Sequence, residues 1–197
     1  LIGVDEEGGT VVRVSSNPKL RSKKFSSPRK LMELEEGDDV RAVERETEEK
    51  SILLKRLGFN VNLNPVADVS KNPGDFIHDR TYGGSAEAAA SYASRVVKVQ
   101  CVYGLGSVLK HFPGYGNNRD THTGVAVDER PMETFLEEDF KPFREAIATG
   151  EVYRPLPAVL VSHNIVNCMD PDLPASLSPE VHRILREDLG FDGVVMT

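Results

Sequence analysis

Residues 110–122 read KHFPGYGNNRDTH, which places a lysine, two histidines and an aspartate within one short stretch. Pro113, Gly114 and Gly116 exclude a regular helix there. The stretch is a loop, and loops rich in ionisable groups commonly carry function. The question is which chemistry these groups serve and whether the rest of the chain supports it. Further polar groups stand where apolar runs end: Asp5 after LIGV, Lys110 and His111 after GSVL, and Ser162 and His163 after AVLV. Such a group needs a partner or a ligand, because burying it alone is unfavourable. A plainer reading also exists for each. His122 serves as a solvent-exposed loop residue, Lys110 as a salt-bridged one, Arg80 as a surface arginine, and His163 as either a pocket or a core residue. A metal site built from His111, Asp120, His122 and His163 lacks any H-x-x-x-H or H-E-x-x-H spacing. Cys101 and Cys168 fit no metal spacing and require no disulfide.

These residues need elements to hold them. Five apolar runs recur at 1–5, 59–65, 106–111, 158–163 and 193–197, each continuous rather than alternating, as in strands buried on both faces of a parallel sheet. Helical patterns lie between them. One spans Asp38–Leu57, with Val40, Val43, Thr47, Leu54 and Leu57 near one face and the charged run RAVERETEEK solvated on the other. A second is capped by Ser85 and runs to Gly104 on a stripe of Tyr92, Val96, Val99 and Tyr103. A third runs from Pro131 to Thr149 and stops at Gly150, with Leu136, Phe140, Phe143 and Ile147 facing the core and Pro142 as a source of a kink. A fourth starts at Ser178-Pro179-Glu180 and ends before Gly190.

Strand and helix in alternation imply right-handed βαβ units. No G-x-G-x-x-G fingerprint follows any strand, and Asp5, Glu6 and Glu7 before the glycine pair would repel a pyrophosphate. Ionisable groups at the ends of three strands fit an α/β fold of the (β/α)8 TIM-barrel type, whose sites lie at the C-terminal face. A full barrel takes eight strands and about 250 residues. The expectation is one domain over residues 1–197, a partial barrel of about five β/α units. The 197 residues are 39% hydrophobic and 28% charged, ordinary for a globular domain. A net charge of −7 argues against nucleic acid and anionic membranes as partners, and no apolar run approaches a bilayer span.

Five motifs in order carry a resemblance: LIGVDEEGG, DRTYGG, KHFPGYGNNRDTH, DPDLPASLSPE and LGFDGVVMT. Together they resemble the N-terminal barrel domain of glycoside hydrolase family 3, in its β-N-acetylhexosaminidase branch. The resemblance implies that His122 is the acid/base and Asp120 its orienting partner. Asp120, two residues earlier, would accept the Nδ1 proton and set the tautomer. It implies that Asp5, Arg13, Arg80, Lys110 and His111 bind the sugar, and His163 is a further candidate at the pocket. Gly114, Gly116 and Gly124 would lend the loop hinge freedom to close over a sugar. The family's nucleophile, an aspartate, would follow Thr197. Thr10 departs from the family, which usually has an arginine beside the glycine pair.

The expected function is hydrolysis of terminal β-linked N-acetylglucosamine by a retaining mechanism, with a carbohydrate as partner and no cofactor or metal implied. The alternatives are a non-catalytic sugar-binding partial barrel and a phosphorylase using the same histidine. The chain begins within a strand and without a methionine, and both ends read as cut. A five-strand piece of that kind would associate with itself through its exposed edges.

Overall fold

The computed structural model describes every residue except Asp38, Val40 and His122. The expectations placed on those three residues, the acid/base His122 among them, lie outside the described residues.

All five apolar runs form strands of one parallel sheet. They are β1 (Gly3–Val4), β2 (Val61–Asn62), β3 (Gly106–Phe112), β5 (Ala158–Val161) and β8 (Val195–Met196), in the order β1-β2-β3-β5-β8. Spatial order follows chain order, so each crossover lands on the next position and the sheet curls into a partial barrel. A second sheet was not foreseen: β4 (Val127–Asp128), β6 (Ile165–Val166) and β7 (Asp170–Pro174) form a small three-stranded unit beside the loops.

The helices cover the sheet's outer face. Two occupy the first crossover, α1 (Pro28–Glu36) and α2 (Ala42–Arg56), and α1 was not expected from periodicity. Ser27 caps α1 by accepting from the Lys30 N–H, with Pro28 at the first turn. On α2, Val43, Thr47 and Leu54 are buried as anticipated, but Leu57 is 42% exposed. The charged run is not wholly solvated either, because Lys50 turns inward and is buried. Helix α3 (Ala86–Val102) is capped by Ser85 as expected. Its buried face runs through Ala89, Ala93, Val96, Val97 and Cys101, while Val99 and Tyr103 are only half-buried. The other cysteine, Cys168, is exposed, and both are free thiols.

The third helix departs most from expectation. It comprises α4 (Met132–Thr134), a π-helical turn over Phe135–Asp139, and α5 (Phe140–Tyr153). Pro142 has no N–H to give the fourth residue before it, and the wider turn just upstream accommodates the break. The Phe140 N–H reaches the Phe135 carbonyl, five residues back. That extra residue puts Phe135 and Phe140 on the core side, ring centroids 6.2 Å apart, and rotates Leu136 out to 48% exposure. Gly150 does not stop the helix. A Cβ there would lie 2.2 Å from Pro157 Cδ, so this glycine permits close packing inside α5. The last helix, α6 (Pro179–Arg183), starts at Ser178 as expected and continues as a π-helical turn over Ile184–Asp188. The main core lies between the sheet and α3, α5 and α6, built on Phe112, Phe140, Phe143, Val159, Leu185 and Phe191.

Candidate active site

The C-terminal end of β1 is fixed by two glutamates with different tasks. Glu6 is fully buried; its backbone N–H donates to Asn62 Oδ1 at 3.0 Å, and Asn62 Nδ2 donates back to the Glu6 carbonyl at 3.1 Å. Its carboxylate accepts the N–H groups of Arg13 (2.8 Å), Val14 (2.7 Å) and Ser15 (3.2 Å), and the Ser15 hydroxyl. This folds residues 13–15 back against β1 and brings Arg13 to the rim of a cleft. The Gly8-Gly9 turn between them needs both glycines. A Cβ on Gly8 would sit 2.0 Å from the Ser26 carbonyl oxygen, and one on Gly9 2.6 Å from Ser27 Cβ.

Glu7 points into the cleft as the centre of a charge cluster. Its side chain is fully buried and takes both Arg80 Nε (2.9 Å) and Arg80 Nη2 (2.8 Å), the bidentate geometry suited to guanidinium and carboxylate. Lys110 Nζ lies 2.6 Å from the same carboxylate and 2.7 Å from Asp5 Oδ1. Burial alone would raise the pKa of Glu7; Lys110 beside it and the Arg80 hydrogen bonds outweigh that and lower it to about 2. Beneath them the Lys50 ammonium donates to the Glu7 carbonyl at 2.7 Å, and burial pushes its pKa down to about 8. The Lys110 side chain is only 4% exposed, yet Asp5 keeps 35% of its own open. A lysine has three donors, and among the described residues two are used, leaving one beside an open carboxylate.

The next strand ends supply the rest. Pairing between β3 and β5 slips between Lys110 and Phe112, so His111 is an extra residue. A bulge of this kind lets consecutive side chains address the same side, and both Lys110 and His111 line the cleft. Asp68, buried in the segment after β2, accepts His111 Nδ1 at 2.7 Å, the His111 N–H at 3.2 Å and the Tyr115 N–H at 2.8 Å. Arg80 Nη2 approaches His111 Nε2 at 3.3 Å. With Nδ1–H given to Asp68, Nε2 is left as the acceptor. His163 and Thr197 close the far wall; His163 is exposed to the cleft, its Nδ1 2.8 Å from Ser176 Oγ. The cleft measures about 390 Å³.

The loop after β3 is anchored on a second cluster. Arg130 contacts Asp128 through Nε (3.0 Å) and Nη2 (2.8 Å), Asp139 through Nη1 (2.9 Å), and the Gly114 carbonyl through Nη2 (3.2 Å), over the Phe135 ring. A Cβ on Gly114 would fall 2.1 Å from Asp139 Oδ1, and one on Gly116 2.3 Å from Arg130 Cζ. These two glycines were expected to act as hinges; the structure uses them as sockets that seat the loop on the Arg130–Asp139 pair. Of the three glycines expected to be hinges, Gly124 alone stands in open space.

The structure thus brings Asp5, Arg13, Arg80, Lys110, His111 and His163 to one cleft, with Thr121 of the loop after β3 at its edge. Asp120 is half-buried, and its carbonyl accepts the Thr123 N–H at 3.2 Å. Sequence reasoning missed Glu7, Asp68 and Tyr115 as parts of the site. A signal existed for Glu7, since three successive acids at a strand end require cations nearby. Nothing local marked Asp68, whose partner His111 is 43 residues away.

The comparisons bear on the family and the fold. The model of the glycosyl hydrolase family 3 N-terminal domain matches residues 1–197. The beta-hexosaminidase LpqI of Mycobacterium tuberculosis is 32% identical over the whole chain, which covers 49% of that protein. A beta-hexosaminidase of Xylella fastidiosa is 31% identical, again over the whole chain and 57% of its own length. Among solved structures, M. tuberculosis LpqI superposes with a TM-score of 0.85 at 30% identity, over 98% of this chain and 55% of that one. Native NagZ from Neisseria gonorrhoeae gives 0.85 at 27% identity, over 99% and 56%. The chain spans about half the length of the curated relatives it matches. It belongs to glycosyl hydrolase family 3, whose N-terminal domain model matches it over residues 1–197.

Proposed function

We propose that the protein carrying this chain hydrolyses terminal β-linked N-acetylglucosamine with retention of configuration. The observation that carries the reading is the cleft itself, in which an open carboxylate (Asp5), a buried ammonium (Lys110), a guanidinium (Arg80) and an imidazole (His111) converge at strand ends. Sugar hydroxyls need such a mixture of fixed donors and acceptors. The names of the relatives point to the same substrate.

In this reading the sugar's hydroxyls bind Asp5, Lys110, Arg80 and His111, with Arg13 and His163 at the rim. Glu7 holds the two cations and does not itself bind sugar. His122, oriented by Asp120, gives its proton to the glycosidic oxygen as the bond breaks and later takes one from the attacking water. The nucleophile is an aspartate immediately after Thr197, at the end of β8, where Thr197 lines the cleft. It forms a glycosyl ester that water then cleaves.

The test uses the full-length protein with an N-acetylglucosaminyl disaccharide and the corresponding dinitrophenyl glycoside. His122→Ala should lose about 10²- to 10⁴-fold in kcat/KM on the disaccharide and far less on the aryl glycoside, whose leaving group departs without a proton. Equal loss on both would remove His122 from the acid role. Nuclear magnetic resonance of the first-formed sugar distinguishes retention from inversion. Rates unchanged by phosphate separate hydrolase from phosphorylase, and binding without turnover would select the sugar-binding alternative.

A further inference from the structure

One hydroxyl braces the acid/base loop from inside. Tyr115 is 3% exposed. Its hydroxyl donates to the Arg119 carbonyl at 2.9 Å and accepts the Thr121 N–H at 3.0 Å. Arg119 and Thr121 flank Asp120, so one oxygen grips the backbone on both sides of that residue. The ring is held in turn. It packs on Phe76 with centroids 5.7 Å apart and meets His111 edge-on at 5.5 Å. The Tyr115 N–H donates to Asp68 Oδ1 at 2.8 Å, while Asp68 Oδ2 accepts His111 Nδ1 at 2.7 Å. One buried carboxylate therefore holds both the histidine at the sugar and the tyrosine at the loop. Around the outside, Asn118 Nδ2 donates to the Tyr115 carbonyl (2.7 Å) and Asp128 Oδ2 (2.6 Å), and Arg119 Nε donates to the Val125 carbonyl at 3.1 Å.

We infer that Tyr115 is a positioning residue for the loop that carries Asp120, its hydroxyl fixing the backbone on both sides of that residue, in register with His111 through Asp68. The inference rests on the glycosidase reading above. Tyrosine suits the task because a rigid ring delivers a group that donates and accepts at once. Proton transfer in the transition state tolerates little displacement, and about 1 Å of misplacement costs about 10²-fold. Sugar binding should be nearly untouched, since Asp5, Lys110, Arg80 and His111 have their own supports.

Tyr115→Phe removes the hydroxyl and keeps the ring packing. On the disaccharide, which needs protonation of its leaving group, kcat/KM is expected to fall about 10- to 100-fold. On the dinitrophenyl glycoside it should fall less than about 3-fold, and the inhibition constant for free N-acetylglucosamine should stay within about 2-fold. Amide hydrogen exchange across residues 116–124 should quicken while β3 and α5 are unchanged. Unaltered exchange in the loop, equal activity of variant and wild type on both glycosides, or the same loss on both, would overturn the inference and leave the glycosidase reading standing. A wild-type protein that cleaves neither glycoside would overturn that reading, and this inference with it.

Discussion

Glu7 offers a test in which the structure sets the size of the effect. Its carboxylate has no exposed surface and is shared by Arg80 and Lys110 at 2.8 and 2.6 Å. A fall in pKa from 4.5 to about 2 corresponds to about 3 kcal/mol of stability at neutral pH, at 1.36 kcal/mol per unit. Glu7→Gln imitates the protonated acid, and leaving two buried cations short of a partner costs about 3–5 kcal/mol. The pH dependence follows from the sign of the change. A carboxyl whose folded pKa is depressed contributes fully above its unfolded value and loses that contribution as pH falls toward the folded one. The gap between wild type and variant should therefore be constant above about pH 5.5, about half as large at pH 3, and nearly closed at pH 2. This chain has no tryptophan, so urea unfolding is best followed by circular dichroism. A gap under about 1 kcal/mol at pH 7, or one as large at pH 3 as at pH 7, would show that Glu7 does not carry the charge balance assigned to it.

Asp139 should behave in the opposite sense. Burial, with Asp68, Asp128 and Glu138 nearby, overcomes the pull of Arg130 and raises its pKa from 3.8 to about 7. Folding then takes up a proton, so the wild type loses stability as pH rises from about 4 through 7, and Asp139→Asn should lack that loss; parallel profiles from pH 5 to 8 would refute it. Gly116→Ala places a Cβ against the Arg130 guanidinium at φ +54°, whereas Gly58→Ala at φ +91° meets nothing within 4 Å. The first should cost about 1–3 kcal/mol and the second about 1, and equal melting temperatures would deny the close approach its role. Lys110→Met removes the sugar donor proposed above while Arg80 still holds Glu7; KM of the full-length protein for an N-acetylglucosaminide should rise at least about tenfold, and an unchanged KM would take Lys110 out of the proposed binding site.

The strands were legible because a strand buried on both faces must be apolar throughout, and Leu109, Val159 and Val161 advertise that in any context. The polar strand ends were legible for the converse reason, since Asp5, Lys110 and His163 break apolar runs where no core would accept them. The helix at 132–153 was harder to read. Periodicity assumes 3.6 residues per turn throughout, and the π-helical turn before Pro142 exchanges Leu136 for Phe135 on the core face. Glycine is ambiguous in sequence because it serves freedom and close approach alike; only the neighbours of Gly114, Gly116 and Gly150 show that these three serve approach.

The sequence by itself determined the parallel β/α order and the polar strand ends Asp5, Lys110, His111 and His163 that face the cleft, because patterning and burial cost act locally; Arg13 and Arg80 were expected there only from the family resemblance. The tertiary structure decided how the charges pair. Glu7 holds the two cations from 73 and 103 residues away, and Asp68 links His111 to the loop. An ion pair or a shared carboxylate depends on distance in space, and no spacing along the chain encodes that before the sheet curls.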